Sequence, residues 1–557
     1  MSHRIKVLSP IIALVALAAI ACQTPAPSAP TAGGGGDTPK RGGIAVIATR
    51  DDPPTNWDPG YTSGITLHQV STGIFGAGNF VRQCRNDVYK VCPYLAESWE
   101  AGTDLTTYTF KMREGVFWND GTPFTPQDAV YWLDLTRGTQ VGDKTRPAWI
   151  DVGTQLVQKA EVIDGNKVRV TLKERVPAFL DMMKTATINI AYPRHLFQPK
   201  IEAGDVRIGP SDVGFVALGP YTLAKHEKGS LIQLRRNEKY WEKDAKGEPL
   251  PYLDGIDFPV MKDLNIIVAA FRTGRLDGGA RGTGFGLLPE QRQALDRTLP
   301  GQVQYAEIAG YRWHIAWNQL RQGPWQDLRV RKALGLWLDK RAGVQAVVGG
   351  QSFLHTVMDP RSGWPDPAWE TWPSFNASTR DRDRADAKRL MSEAGLAGGF
   401  EMDFFCRRSW VQICEWFQGD YSGLGVKLKL DLVDDATWTD RHRRGDFDGQ
   451  IQIVTVTFPE LLEQHFGRTG LNAGGLLRHN DAQLVSMFRR FKDASGDDAR
   501  KQIYREVEKY VLQDQWYAIP LFDELLAIPY RSYVKGLMPG PEEVNHNLDY
   551  ATMWLDK

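Results

Sequence analysis

Five cysteines are the side chains of this 557-residue chain with the most chemistry to offer. Cys22 ends an apolar run, Cys84 and Cys92 bracket Arg-Asn-Asp-Val-Tyr-Lys-Val, and Cys406 and Cys414 bracket Arg-Arg-Ser-Trp-Val-Gln-Ile. No pair makes Cys-x-x-Cys and no His lies near, so a zinc site is not expected. With Cys22 set apart, the other four suit an oxidising compartment as two disulfides. Local pairing, Cys84–Cys92 and Cys406–Cys414, is the simplest of three connectivities; the second requires a bend from strand to helix. Catalytic chemistry is otherwise sparse. There is no Gly-x-Ser-x-Gly, no His-Glu-x-x-His and no phosphate loop. The 10 His are scattered, His465 and His479 having no metal-ligand spacing, and 67 Asp and Glu single out no acid–base couple. Gly282, Gly284 and Gly286 form a loose Gly-x-Gly-x-Gly after a strand pattern and read as a loop. No catalytic residue, metal or cofactor is expected.

The elements that must carry these groups begin with a leader. Arg4 and Lys6 precede the apolar run 7–21, too short to span a bilayer, where about 20 residues are needed; it reads as a secretory signal. Ala19-Ile20-Ala21-Cys22 resembles a bacterial lipobox, which makes Cys22 the lipidated first residue of a mature chain held at the periplasm or the outer face of the cell membrane. Residues 23–41, rich in Pro, Ala, Gly and Thr, have almost nothing to bury and read as a disordered tether. The remaining length exceeds one core and predicts two or three lobes. Lys plus Arg equals Asp plus Glu at 67 each, so no net field favours nucleic acid. The 18 Trp imply either a large aromatic core or a cleft lined with flat rings.

The stretch from Pro93 to Leu135 organises the rest. Tyr108, Phe110 and Met112 alternate with Thr107, Thr109 and Lys111, the period of a half-buried strand. Gly102-Thr103-Asp104 reads as the loop joining it to the run ending at Trp99. Asn119-Asp120-Gly121-Thr122-Pro123 is turn chemistry. Thr125, Pro126 and Asp128 then open a helix whose apolar face is Ala129, Val130, Trp132 and Leu133. Further on, residues 159–173 predict a hairpin with Asp164-Gly165-Asn166 at its tip. Residues 311–318 predict a strand and 327–339 a helix. Phe400–Phe405, Trp410–Leu424 and Val426–Leu432 predict a βαβ-like unit, and Gly445–Asp448 followed by Ile451, Ile453 and Val454 another strand. A helix at Lys501–Asp514 precedes a Pro-bearing return strand with Pro520 and Pro529.

In that order, Leu-Ala-Glu-Ser-Trp-Glu, the run Tyr108 to Thr125, Gln127–Trp132, Asn237–Trp241, Tyr311–Asn318 and Asp327–Asp339 resemble the landmarks of the family 5 extracellular solute-binding proteins, receptors of peptide- and nickel-type ABC importers. The resemblance runs over nearly the whole mature chain. It implies an α/β fold of two hinge-connected lobes, the periplasmic-binding-protein fold. Lobe I is expected at residues 42–308, with an extra subdomain at 82–214, and again at 520–557; lobe II is expected at 309–519. It implies a monomeric receptor that takes a small solute, a short peptide foremost, and hands it to an ABC permease; an oligosaccharide receptor of the same family and a lipid-anchored secreted hydrolase are the alternatives. It also implies site residues. Thr62, Ser63 and Gly64 match a segment along the ligand cleft. Arg407 and Arg408 stand where dipeptide-binding relatives hold the ligand carboxylate, a task that suits the parallel donors of a guanidinium, with Trp410 beside them. In the loop where relatives place an acid for the ligand amine, this chain has Thr455–Glu460, which nominates Thr457 and Glu460.

Overall fold

The computed structural model describes residues 38–53, 56–58, 65–76, 80–146, 152–185, 191–279, 287, 289–350, 352, 354–454, 456, 458–470, 475–537 and 549–557. The expectations for Cys22, Thr62, Ser63, Gly64 and Thr457 lie outside these residues.

The first strand, β1 (Ile44–Val46), pairs with a strand far along the chain instead of with its sequence neighbours. After a helix at Ile65–Phe75 and a hairpin of Val81–Cys84 with Asp87–Pro93 come β2 (Ala96–Ala101) and β3 (Thr107–Met112), then α1 (Pro126–Thr136), and further on β4 (Val157–Asp164) and β5 (Lys167–Leu172). These four strands make an antiparallel sheet in the order β2-β3-β5-β4. The predicted alternation holds: Tyr108, Phe110 and Met112 are buried, while Lys111 is exposed. Gly121 takes the left-handed position (φ 97°) that lets the chain double back before α1. The helix then starts where the sequence predicts, with Asp128 accepting from the Thr125 backbone N–H at 2.8 Å and from its hydroxyl at 2.5 Å. Ala129, Trp132 and Leu133 face the core.

Strands β6 (Tyr221–Glu227), β7 (Leu231–Arg236) and β8 (Gly255–Pro259) complete a second sheet in the order β1-β8-β7-β6, with β1 parallel to β8. One hydrophobic cluster joins both sheets and takes in residues up to Leu555.

The long strand β9 (Val303–Trp317) leads to the other half of the molecule. There β10 (Phe400–Arg407), α2 (Val411–Ser422), β11 (Val426–Val433), α3 (Asp435–Arg444) and β12 (Gly449–Ile453) form the expected βαβ succession. Helices α4 (Leu461–Phe466), α5 (Ala482–Asp493) and α6 (Asp497–Lys509) follow, and β13 (Ala518–Arg531) returns. The sheet order is β11-β10-β12-β9-β13, over a second hydrophobic cluster running from Trp313 to Phe522. β10 runs on to Arg407, past the expected end at Phe405, because β11 pairs with it as far as Arg407↔Val433.

The two lobes meet inside β9 and β13. These strands pair antiparallel from Val303↔Arg531 to Ala316↔Ala518, with register irregularities around Arg312. At one end Tyr530 bridges Gly278, which bridges Ile47 of the first lobe; at the other, Trp313 pairs with Ile453 of the second. Pro520 and Pro529 sit within β13 without breaking it; Pro520 lies where β13 is the edge of the sheet, and an edge strand can spare the missing N–H. Among the described residues, no helix is long and apolar enough to cross a membrane, and no cluster of His, Cys, Asp and Glu could hold a metal ion.

Candidate functional site

In the second lobe the chain passes from β10 to β11 on one side and then back past β10 to β12 on the other. Such a reversal opens a crevice beyond the carboxyl ends of the two strands flanking it, the place where open α/β sheets take ligands. The residues at this edge are Arg407 at the end of β10, Val454 just after β12, and Arg312 and Asp523, paired across β9 and β13. The Val454 N–H donates to the Arg312 carbonyl at 2.8 Å, which keeps the edge continuous.

Arg407 and Arg408 diverge. Arg408 opens a single helical turn and its guanidinium donates back to the Leu432 carbonyl on β11 at 3.2 Å. Arg407 lies in a corner between two indoles, 4.1 Å from the Trp438 ring centre and 4.5 Å from that of Trp410. Trp410 is buried, only 6% exposed, and its ring also stands 5.8 Å from Trp313. It therefore serves as a bed for the cation and not as an open wall of the cleft. The same holds for most of the tryptophans: Trp118, Trp132 and Trp317 are wholly inside, so the aromatic core accounts for much of the unusual Trp content.

The strand-to-helix bend after Arg407 is pinned by the Cys406–Cys414 disulfide, with a Cα separation of 6.7 Å; Cys84–Cys92 ties a hairpin at 5.0 Å. Each bridge closes a loop of sequence separation 8. Replacing Cys406 and Cys414 together with Ser is expected to cost about 2–3 kcal/mol on the chain-entropy account, measured as a lower denaturation midpoint in urea.

The loop after β12 crosses between the lobes. Val456 is buried in the second lobe's cluster, while Phe458, two residues on, is buried in the first lobe's cluster. Leu461 touches both. Glu460 accepts a short hydrogen bond from Arg500, and its Oε2 is buried with no hydrogen-bond partner. Burial raises its carboxyl to about 7, the nearby Arg500 charge opposing the shift. Close by, Arg175 of the first lobe donates to the carbonyls of Lys492 and Ala494 and to the Ser495 hydroxyl, at 2.9 Å for Ala494 and 3.2 Å for Ser495. These are the carbonyls that end α5, where an α-helix leaves acceptors unsatisfied and carries partial negative charge.

Behind the edge lies a polar cluster that sequence reading missed. His355 Nε2 sits 2.6 Å from Asp523 Oδ1, Arg312 Nε 3.7 Å from Oδ2, and His314 Nε2 3.1 Å from the Thr356 carbonyl. All four charged or ionisable side chains are buried. Only the presence of Arg and His in the otherwise apolar strand Tyr311–Asn318 could have flagged them. Burial, with the His355 charge second, drives His314 down to about 3, so it is neutral at physiological pH.

Beyond them Thr356 donates to Glu508, whose carboxyl burial raises from 4.5 to about 7. Between those values the folded chain holds a proton that the unfolded chain has released. This group therefore withdraws stability as pH rises through that window. His314 acts with the opposite sign over a lower window, since its folded value lies below its ordinary 6.5. Comparing wild type with Glu508→Gln isolates the carboxyl. The melting temperature of the variant relative to wild type is expected to climb as pH goes from 5 to 8; a difference independent of pH would refute the assignment.

Residues 90–460 match the family described as "Bacterial extracellular solute-binding proteins, family 5 Middle". Over 527 residues the chain is 25% identical to the dipeptide-binding protein of Pseudomonas aeruginosa, covering 89% of this chain and 92% of that one. Among solved structures, the ABC transporter substrate-binding protein CtaP of Listeria monocytogenes superposes with a TM-score of 0.75 at 20% identity, covering 93% of this chain and 100% of that one. The periplasmic binding protein DppA of Helicobacter pylori, in complex with the peptide STSA, does so with a TM-score of 0.68 at 18% identity, covering 93% and 99%.

Proposed function

The chain belongs to the bacterial extracellular solute-binding proteins of family 5, and from that premise we propose that it is the receptor of an ABC importer, closing two lobes around a short peptide and presenting it to the permease. The observation that carries the peptide reading is Arg407. A guanidinium at the carboxyl end of β10, beside the strand-order reversal, stands where a bidentate donor can meet a ligand carboxylate. Arg408, whose guanidinium donates to the Leu432 carbonyl on β11, is the less favoured of the two for this role. At the other end of the ligand, Glu460 supports an ammonium site through its buried Oε2, which has no hydrogen-bond partner. Thr457, Thr62, Ser63 and Gly64 are kept as further ligand contacts on the family resemblance alone. The dipeptide-binding protein of Pseudomonas aeruginosa and the peptide-bound DppA of Helicobacter pylori favour the same ligand class. The receptor works as a monomer, binds without turnover and is held to the membrane by lipid on Cys22.

Titration calorimetry tests the ligand class with a panel of free tripeptides, their C-terminal amides, their N-acetyl derivatives and a set of oligosaccharides. The expected order is free peptide above either blocked form, with no heat from the sugars; sugar binding without peptide binding would overturn the reading. Mass spectrometry of the mature protein is expected to find a diacylated Cys22 as its first residue. An unmodified N-terminus elsewhere would remove the anchor.

A further inference from the structure

Trp438 has no counterpart among the residues that the sequence singles out, and of the two indoles over Arg407 it is the nearer. It sits on α3, 3% exposed, and its ring is held rigidly. His442, one turn later, stacks on it at 4.7 Å with the planes 8° apart, and Phe405 of β10 lies parallel to within 2° at 5.7 Å. Phe447 completes the group, parallel to His442 within 11° at 6.1 Å and to Phe405 within 9° at 6.3 Å. The imidazole is itself locked. Gln450 Nε2 donates to the Leu476 carbonyl, which leaves Oε1 to accept from His442 Nδ1–H at 2.9 Å. The Trp410 indole meets Trp438 at 70°, so the two rings form the corner in which the Arg407 guanidinium lies.

We infer that Trp438 is a positioning residue for the ligand anchor, setting the receptor's selectivity for a free carboxylate over a neutral terminus; this rests on the reading of Arg407 given above. An aromatic face attracts a guanidinium by its quadrupole and contacts the flat side, while the N–H donors of a guanidinium point outward in its plane. A ring stack of this kind orients those donors before the ligand arrives. Arg otherwise loses rotamer freedom when it binds, and a preorganised donor reduces that loss. The effect falls on the carboxylate contact alone, because Trp438 is buried beneath Arg407.

The test compares wild type, Trp438→Leu, Trp438→Phe and Arg407→Gln by calorimetry with trialanine and trialanine amide, with thermal melts on each protein. Wild type is expected to prefer the acid. Trp438→Leu is expected to lose about tenfold of that preference, between the sizes of an exposed and a desolvated cation–π contact, with the affinity for the amide unchanged. Trp438→Phe, which offers a smaller face, is expected to fall between. If Trp438→Leu does not fold, Trp438→Phe decides: a reduced preference supports the inference and an unchanged one overturns it. Equal weakening of acid and amide in Trp438→Leu would show a merely structural role and overturn it. If Arg407→Gln abolishes the preference and the Trp438 variants keep it, the inference alone falls. If Arg407→Gln keeps the preference, or wild type binds neither probe, the anchor reading falls and takes the inference with it.

Discussion

Arg407→Ala is expected to weaken binding of a free-carboxylate peptide by about 2–5 kcal/mol, the usual cost of truncating one member of a desolvated charge pair. The loss should appear in the dissociation rate, since the contact forms only after docking. Arg408→Ala is the matched control. Its guanidinium bonds the Leu432 carbonyl on the second lobe's own sheet, so its removal should leave affinity within a few tenths of a kcal/mol. Calorimetry and stopped-flow measurements on the two variants decide the matter. Equal affinities in both would mean that the carboxylate is held elsewhere.

The second large effect concerns closure. Phe458 belongs by chain to the second lobe and by packing to the first lobe's core. Truncating a buried Phe to Ala costs about 3–5 kcal/mol where the environment cannot collapse. If the lobes part at this contact on opening, the cost falls on the closed form and the open form is spared. Phe458→Ala is therefore expected to shift the free protein toward the open form and to weaken every ligand alike, by two orders of magnitude or more, without a matching fall in the melting temperature of the free protein. Small-angle scattering should show a larger radius of gyration at subsaturating ligand. Arg175→Ala, which removes three donors across the same boundary, is expected to act in the same direction with a smaller effect. A Phe458→Ala protein that melts much lower yet binds normally would mean that the two lobes do not separate at this contact.

The Phe458 and Arg407 effects are separable by ligand. The first changes acid and amide peptides equally, because it alters the population that can bind at all. The second changes only the acid, because it removes one contact from the bound state. Glu508→Gln touches neither, since its proton lies behind the hinge and its influence reaches stability through pH.

The order of elements was written in the sequence because it depends on neighbours within a few residues. Tyr108, Phe110 and Met112 declare a strand by period two, Thr125 to Asp128 declare a helix start by local hydrogen bonds, and Cys406 and Cys414 lie close enough to pair across one bend. The family landmarks and the two-lobed α/β fold followed from the succession of such local signals. What needed the tertiary structure were the meetings between residues far apart in the chain. Arg312 and His355 reach Asp523 only because β9 and β13 pair in one particular register. Arg407 and Arg408 are adjacent and chemically identical; the bend after β10 turns one into the corner of two indoles and the other back to Leu432. Phe458 reads as a loop residue, and only the fold shows it buried in the opposite lobe. A side chain's type and spacing determine what element it can join, whereas its partner is selected by the register of strands hundreds of residues apart, which no local pattern encodes.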